Sequence, residues 1–303
     1  MEITPATPLA NVMEDLYLPG NLRITSDSTL NHYRITIRHL RAFLGREPLL
    51  SDLTDATCIR FCRWYQETRD LAAPTINQRL EYLKAFWRWC ARERFVEKWP
   101  NFHKLPESKP LPRAWTAEQI ATLLNACQET PGFVTCIPAG EWWCNIHRFA
   151  WETGERIGAI LKARWADTDP ERCLVEIPAK YRKGKCRGML YTISGELMAD
   201  LLAMRPGDEP LLFPWHLTTK SFYKDYTKLL KRAGLPTDRR SKMHKMRRSF
   251  ASHLEAAGGN ATDALKHTSR RVTDESYLDE SIIQRAPAYK SLPAIERKGE
   301  VKQ

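Results

Sequence analysis

The stretch NFHKLPESKPLPR, residues 101–113, most narrows what this chain can become. Three prolines and two lysines with almost no apolar periodicity can neither continue a helix nor sit inside a sheet. The stretch reads as an interdomain linker, and a chain of 303 residues is long enough for a core on each side of it. Before it, apolar residues recur only at helical spacing; after it, helical stretches alternate with short strand-like runs. The expected fold class is mainly α with a small β-sheet.

On the N-terminal side, residues 1–13 read as a tail and 14–103 as a helical domain, with 104–113 as the linker proper. From Ser26, Leu30, Tyr33, Ile37, Leu40 and Phe43 share one helical face that stops at Gly45. A second helix follows Asp52 or Thr54, either of which suits an N-cap. A third follows Pro74, with Ile76, Leu80, Leu83, Phe86 and Trp87 apolar. Arg34, Arg38, Arg41, Arg79, Lys84 and Arg88 lie on the polar faces.

A second domain is expected over 114–280, with 281–303 as a C-terminal tail. Thr116 and Gln119 have the spacing of a capping box. A helix through Trp151 is expected to turn at Glu152-Thr153-Gly154, and another to run from Arg156 to about Arg164. CLVEIP (173–178) and GMLYTI (188–193) read as two strands around the basic loop AKYRKGKCR, which carries Lys180, Arg182, Lys183, Lys185 and Arg187. Further helices are expected over 194–202 and 221–233.

The chemistry concentrates in Met243 to Tyr277. His244 and Arg247, three apart, fall on one face of a helix that a Gly258-Gly259 break would end. His267 and Tyr277 follow. If Arg156, Lys183, His244, Arg247, His267 and Tyr277 converge, the natural reaction is attack of a phenol on a phosphodiester. Phenolate formation at neutral pH costs roughly 4 kcal/mol, which a cationic cluster reduces. Arginine forks match phosphate oxygens. A lysine can protonate the departing 5′-oxygen, and histidine can accept the phenol proton or donate to a phosphoryl oxygen. No clustered carboxylates of the two-metal kind are present, so neither metal nor other cofactor is expected.

Charge points to the same partner. The 47 basic and 36 acidic residues leave +11, eight of the basic ones falling between Lys231 and Arg248 against Asp238 alone. This favours a polyanion. No apolar run approaches the ~18–20 residues of a membrane span, and no secretory leader is evident. The eight cysteines lack a CxxC pair and read as core thiols in a reducing cytosol, without structural zinc.

With Thr153-Gly154-Glu155-Arg156, the lysine-bearing hairpin, His244-Lys245-Met246-Arg247, Lys266-His267 and Thr273 through Tyr277-Leu278 in this order, the chain resembles the tyrosine recombinase (phage-type integrase) family. The resemblance implies a helical SAM-like core-binding domain plus a mixed α/β catalytic domain, closing on duplex DNA as a C-shaped clamp. It implies Tyr277 as nucleophile, Arg156 and Arg247 as phosphate clamps, and His244 as acid/base. Lys183 would be general acid, with Lys180 and Lys185 as substitutes, and His267 a further hydrogen-bond donor. DNA contacts are expected from Arg79, Lys84, Arg88, Arg182, Lys185, Arg240 and Arg248. Site-specific exchange through a 3′-phosphotyrosyl intermediate needs neither metal nor ATP. It calls for a homo-tetramer on paired double-stranded sites and a cytoplasmic, nucleoid-associated location. The alternatives are relaxation of DNA by a type IB topoisomerase-like reaction, or DNA binding without catalysis. Three residues past Arg156, where the family has Glu, stands Ala159, leaving the brace of the arginine or histidine open. Lys266 stands where Gly is usual, which is expected to alter the local turn.

Overall fold

Three amphipathic helices, preceded by a shorter helical run through Leu9–Val12, Met13–Tyr17 and Leu18–Gly20, build the first of two units. The computed structural model describes residues 2–22, 24 and 26–284, and the chain divides between Lys109 and Pro110. Helix Asp27–Leu44 starts where Ser26 Oγ accepts the Thr29 N–H and stops at Gly45, whose φ of 67° is the left-handed form that glycine adopts without strain. Helix Asp55–Arg69 is capped by Thr54. Asp52 serves elsewhere, accepting the Leu49 N–H and pairing with Arg46. Helix Ala73–Arg92 carries Pro74 in its first turn, where a missing N–H costs nothing. Tyr33, Ile37, Leu40, Phe61, Tyr65, Leu80, Leu83 and Phe86 close one core.

Two sequence boundaries are corrected here. Residues 1–13 are not a free tail: Leu9, Val12 and Met13 are buried in that core, and the Leu9 N–H donates to Pro48 O at 2.8 Å. The chain is helical from Leu9–Val12 through a π-helical turn, Met13–Tyr17, to Leu18–Gly20, and its apolar side chains gain by leaving water. Nor is the start of the linker loose. Phe102 is buried, and the Asn77 amide both donates to Leu105 O and accepts from the Leu105 N–H, each at 2.9 Å. A side-chain amide thus supplies pairing that a proline-rich backbone cannot find in a ladder. The C-terminal tail beyond residue 284 lies outside the described residues.

The second unit packs helices around a small antiparallel sheet. Thr116 and Gln119 form the capping box that opens helix Ala117–Gln128. Helix Ala139–Thr153 buries Trp142, Trp143, Ile146 and Phe149. Between them β1 (Phe133–Val134) and β2 (Ile137–Pro138) make a short hairpin. β3 (Thr168–Asp169), β4 (Leu174–Ile177) and β5 (Met189–Thr192) follow in the order β3-β4-β5, with Leu174 opposite Thr192 and Ile177 opposite Met189. β4 and β5 are the two expected strands; the two-residue β3 is too short to show a period. The helix expected from Arg156 to about Arg164 reaches only Ile160. Beyond it, the Trp165 N–H donates to Pro210 O and the Leu212 N–H to Ala163 O, at 3.0 and 2.9 Å. An extended pairing has displaced the helical one. Helices Gly195–Ala203, Thr219–Arg232, His244–Ala256, Ala261–Leu265, Arg270–Ser276 and Glu280–Ile283 complete the unit.

Lys266 stands at a turn whose conformation glycine adopts without strain. It ends helix Ala261–Leu265 at φ 51°, ψ 48°, left-handed in spite of its Cβ. Strain of ~1–2 kcal/mol for a side chain there exceeds the extra unfolded-state freedom of glycine. Lys266→Gly is therefore expected to raise stability by roughly 0.5–1 kcal/mol in urea melts.

Of the cysteines, Cys58, Cys62, Cys90 and Cys127 are buried, whereas Cys136 and Cys186 are exposed, so the core-thiol expectation holds only in part. His147, also in the core, donates through Nδ1 to Trp143 O at 2.6 Å. Burial pushes its pKa down from 6.5 to about 4, against the opposing pull of that backbone bond. The neutral ring binds its proton less well folded than unfolded, so stability is intact above pH 6.5 and falls as pH drops toward 4. The expected loss is on the order of 3 kcal/mol, and a His147→Gln variant should flatten that slope in melts taken across the interval.

Candidate active site

The site is assembled on the turn that ends helix Ala139–Thr153. Gly154 has φ 61°, and a Cβ there would lie 2.3 Å from Phe250 Cδ1. Glycine is required twice over, by conformation and by space. The turn matters because Gly154 O accepts from Arg247 Nη1 at 2.6 Å. Gly154→Ala is expected to cost about 2 kcal/mol in thermal unfolding and to displace that guanidinium. Arg156, two residues on, is half-buried at the start of the short helix Ile157–Ile160.

Arg247 is the hub. Only 1 % exposed, it also donates through Nη2 to Leu265 O at 3.3 Å and to His267 Nε2 at 3.2 Å. A guanidinium can only donate, so His267 Nε2 accepts, and the ring's proton sits on Nδ1, 2.9 Å from Thr273 Oγ1. Thr262 Oγ1 also bonds Thr273 Oγ1, at 2.9 Å. Thr273 lies inside helix Arg270–Ser276, and its buried hydroxyl orients His267. In this arrangement His267 braces Arg247, whereas a donor toward phosphate was expected.

Tyr277 ends the same helix, its N–H bonded to Thr273 O at 2.9 Å. Ser252 Oγ donates to Tyr277 O and accepts from the Asp279 N–H, fixing the chain on both sides of the phenol. The Tyr277 ring lies 4.3 Å from the His267 ring and 5.3 Å from that of His244, with Arg247 Cζ 5.5 Å from its centroid. His244 begins helix His244–Ala256 and is exposed at the rim. Crowding by protein, then the charges of Arg248, Arg247, Arg156 and His267, hold its pKa down to about 4. Burial, then Arg247 and Arg156, do the same to His267, also to about 4. Both rings are neutral at pH 7. Burial and then Arg156 likewise lower the pKa of Arg247, opposed by the Tyr277 phenol and Glu155. Arg156 thus stands close enough to be felt by all three.

The structure therefore brings Arg156, His244, Arg247, His267 and Tyr277 together. It does not bring Lys183 to them: Lys183 is exposed on the β4–β5 loop, with no hydrogen bond or ion pair to the cluster among the described residues. Lys180 and Lys185 are exposed as well, Lys180 lying over the Tyr181 ring. Arg182, expected to reach DNA, is corrected: it is buried, and its Nε donates to Glu155 Oε2 at 2.6 Å. Lys84 is likewise occupied, its Nζ donating to Phe102 O at 3.0 Å, and Arg79 Nη1 lies 2.9 Å from His32 Nδ1. Arg88 and Arg240 are exposed; Arg248 is half-buried, with Nε bonded to Ser276 O.

Sequence reasoning missed Glu155. Its carboxylate accepts from the Arg156 N–H, Arg182 Nε and the Tyr191 hydroxyl, and lies 3.9 Å from Arg247 Nη1. Burial would raise its pKa, but these donors and cations outweigh it and lower the value. Ala159, at the expected brace position, is a buried methyl. The available signal was an acid beside the first arginine, in a region otherwise rich in cations.

Two family models match, one to each unit: the N-terminal SAM-like domain of phage integrases over residues 12–97, and the phage integrase family over residues 113–282. The second spans more than half of the chain, which belongs to the phage integrase family. It is a tyrosine recombinase, a DNA strand-transferase. Tyrosine recombinase XerC of Oceanobacillus iheyensis is 24% identical over 250 residues, 78% of this chain and 79% of that protein. The fold is shared with a Tn1549 transposon integrase in complex with transposon right end DNA, at TM-score 0.71 and 15% identity over 94% of this chain and 99% of the other. It is shared also with a lambda integrase tetramer bound to a Holliday junction, at TM-score 0.65 and 16% identity over 91% and 78%. No described helix is long and apolar enough to cross a membrane.

Proposed function

We propose that this recombinase cuts and rejoins duplex DNA through a 3′-phosphotyrosyl bond at Tyr277. The observation that carries the reading is the Tyr277 ring packed against His267, His244 and the buried guanidinium of Arg247. In the forward step the Tyr277 Oη–P bond forms and the P–O5′ bond breaks. A neutral His244 takes the phenol proton; its low pKa keeps it in the accepting form before DNA arrives. Arg156 and Arg247 hold the non-bridging oxygens, where charge accumulates. Lys183 protonates the leaving 5′-oxygen, and a 5′-hydroxyl of the partner strand reverses the sequence. The bond energy stays in the phosphotyrosine, so the cycle calls for no metal, ATP or other cofactor.

Exchange between two sites takes four such centres, hence a homo-tetramer on paired DNA, acting at the nucleoid in the cytoplasm. Of the cations expected at DNA, Arg88, Lys185 and Arg240 are exposed and positioned to reach the backbone, with Arg248 at the rim. Binding should weaken steeply with salt. The test uses a duplex nicked just downstream of the scissile phosphate, so that the released 5′ fragment diffuses away. Wild-type protein is expected to accumulate as a covalent adduct on denaturing gels, with Tyr277 carrying the nucleotide in peptide mass spectra. An adduct at another residue, or none on a bound cognate site, refutes the reading. Relaxation of a single-site plasmid without two-site exchange would favour the topoisomerase-like alternative.

A further inference from the structure

We infer that Glu155 and Arg182 form a positioning device that ties the lysine-bearing loop to the arginines gripping the scissile phosphate. This rests on the strand-transfer reading above.

The β4–β5 loop has little else to locate it. Residues 183 to 187 are all exposed, Gly184 and Lys185 have φ of 86° and 52°, and Cys186 contributes only a local bond to Gly184 O. Such a loop samples many conformations, and a general acid placed on it is useful only when its base is held. The base is held at both ends. Arg182 closes the loop on itself: its Nη1 donates to Arg187 O at 3.1 Å, and its carbonyl accepts the Lys185 N–H at 3.1 Å. Its Nε is anchored to Glu155 Oε2, to which Tyr191 of β5 also donates, at 2.6 and 2.8 Å. Glu155 Oε1 takes the Arg156 N–H at 2.6 Å and stands 3.9 Å from Arg247 Nη1.

One buried carboxylate therefore touches the loop entry, the returning strand, the backbone of the first clamp and the side chain of the second. With both members buried, the pair is stiffer than a surface ion pair, because neither side chain has water to turn toward. The lysine adjoining Arg182 in the chain is Lys183, the acid of the reading above, and Lys185 is tied to the same arginine through its N–H. The bridge also answers the vacancy at Ala159: the carboxylate comes from the residue before Arg156.

The test separates positioning from general structural damage by the leaving group. In a duplex with sulfur replacing the bridging 5′-oxygen, the departing group is a thiolate, which needs no proton. Arg182→Met is expected to slow single-turnover cleavage of the oxygen substrate by about 10²-fold. The sulfur substrate should be cleaved at close to the wild-type rate. Lys183→Ala should show the same selectivity, and the double variant should be no slower than Lys183→Ala alone, since both act through one proton transfer. Should Arg182→Met lose thermal stability or DNA affinity, Arg182→Gln, which keeps a donor for Glu155, takes the same comparison. Equal losses on both substrates, or an undiminished rate on oxygen, overturn the inference while leaving the nucleophile assignment intact. Failure of wild type to form an adduct on either substrate removes both.

Discussion

Tyr277→Phe is expected to abolish the covalent protein–DNA adduct, lowering cleavage by at least about 10⁴-fold, while leaving fold and DNA binding in place. The physical case rests on what the substitution keeps. The ring's contacts with His267 and His244 are contacts of the aromatic face and edge, which phenylalanine retains, and Arg247, which loses the phenol's influence, stays anchored by Gly154 O and Leu265 O. The flanking backbone is fixed by Ser252 Oγ and the Asp279 N–H, neither of which involves the phenol oxygen. DNA affinity should persist because phosphate contacts supply most of it. Only the attacking oxygen is lost, and among the described residues no other tyrosine ring is flanked by the two histidines and Arg247. An adduct of wild-type yield from Tyr277→Phe would move the nucleophile elsewhere. Tyr289 would be the next tyrosine to test; it lies outside the described residues.

The second large effect is expected at Arg247, where stability and catalysis fall together. Arg247→Ala removes the donors to Gly154 O, Leu265 O and His267 Nε2, and leaves Glu155 with one cation fewer in a buried site. Breaking a buried, hydrogen-bonded charge pair costs about 3–5 kcal/mol, so Arg247→Ala should unfold at markedly lower urea concentration than wild type. Arg247→Lys separates the two roles. It keeps the positive charge but has one nitrogen where the native fork has three, and cannot reach two phosphate oxygens while also holding the Gly154 and Leu265 carbonyls. A folded Arg247→Lys protein is expected to cleave about 10²–10³-fold more slowly in single-turnover assays, with DNA affinity changed far less. A near-wild-type rate from that variant would show that a point charge suffices and that the fork geometry is irrelevant.

Histidine protonation adds a pH signature. His244 and His267 sit near 4 in the free enzyme through desolvation and neighbouring guanidinium charge. A bound phosphate brings negative charge to the same place and raises both values. With DNA below saturation, where the free enzyme's groups govern, cleavage should hold its rate below pH 6.5; at saturating DNA the same fall in rate should begin at a higher pH.

Much of the fold could be read along the chain because its determinants are local. Ser26, Thr54, Thr116 and Gly45 cap helices through bonds within a turn, and the apolar period of each helix shows which face is buried. The tail and linker boundaries could not be read in this way. Leu9 and Val12 are buried by partners distant in sequence, and Asn77 meets Leu105 across 28 residues. The helix after Arg156 was misjudged for the same reason: its carbonyls and amides are taken by the strand-like segment near Leu211, which no local propensity records.

The active site divides along the same line. Residue order, with the family resemblance it carries, singled out Arg156, His244, Arg247, His267 and Tyr277 as candidates, because phosphoryl transfer without a metal demands cations, a base and a nucleophile. Only the tertiary structure decided how each is held. It turned Arg182 inward to Glu155, made Thr273 the orienter of His267, and supplied a carboxylate brace one residue before Arg156. Chemistry is a property of the side chain and can be read from its identity. Orientation and protonation depend on which distant groups burial brings within hydrogen-bond reach, and only the folded chain determines that.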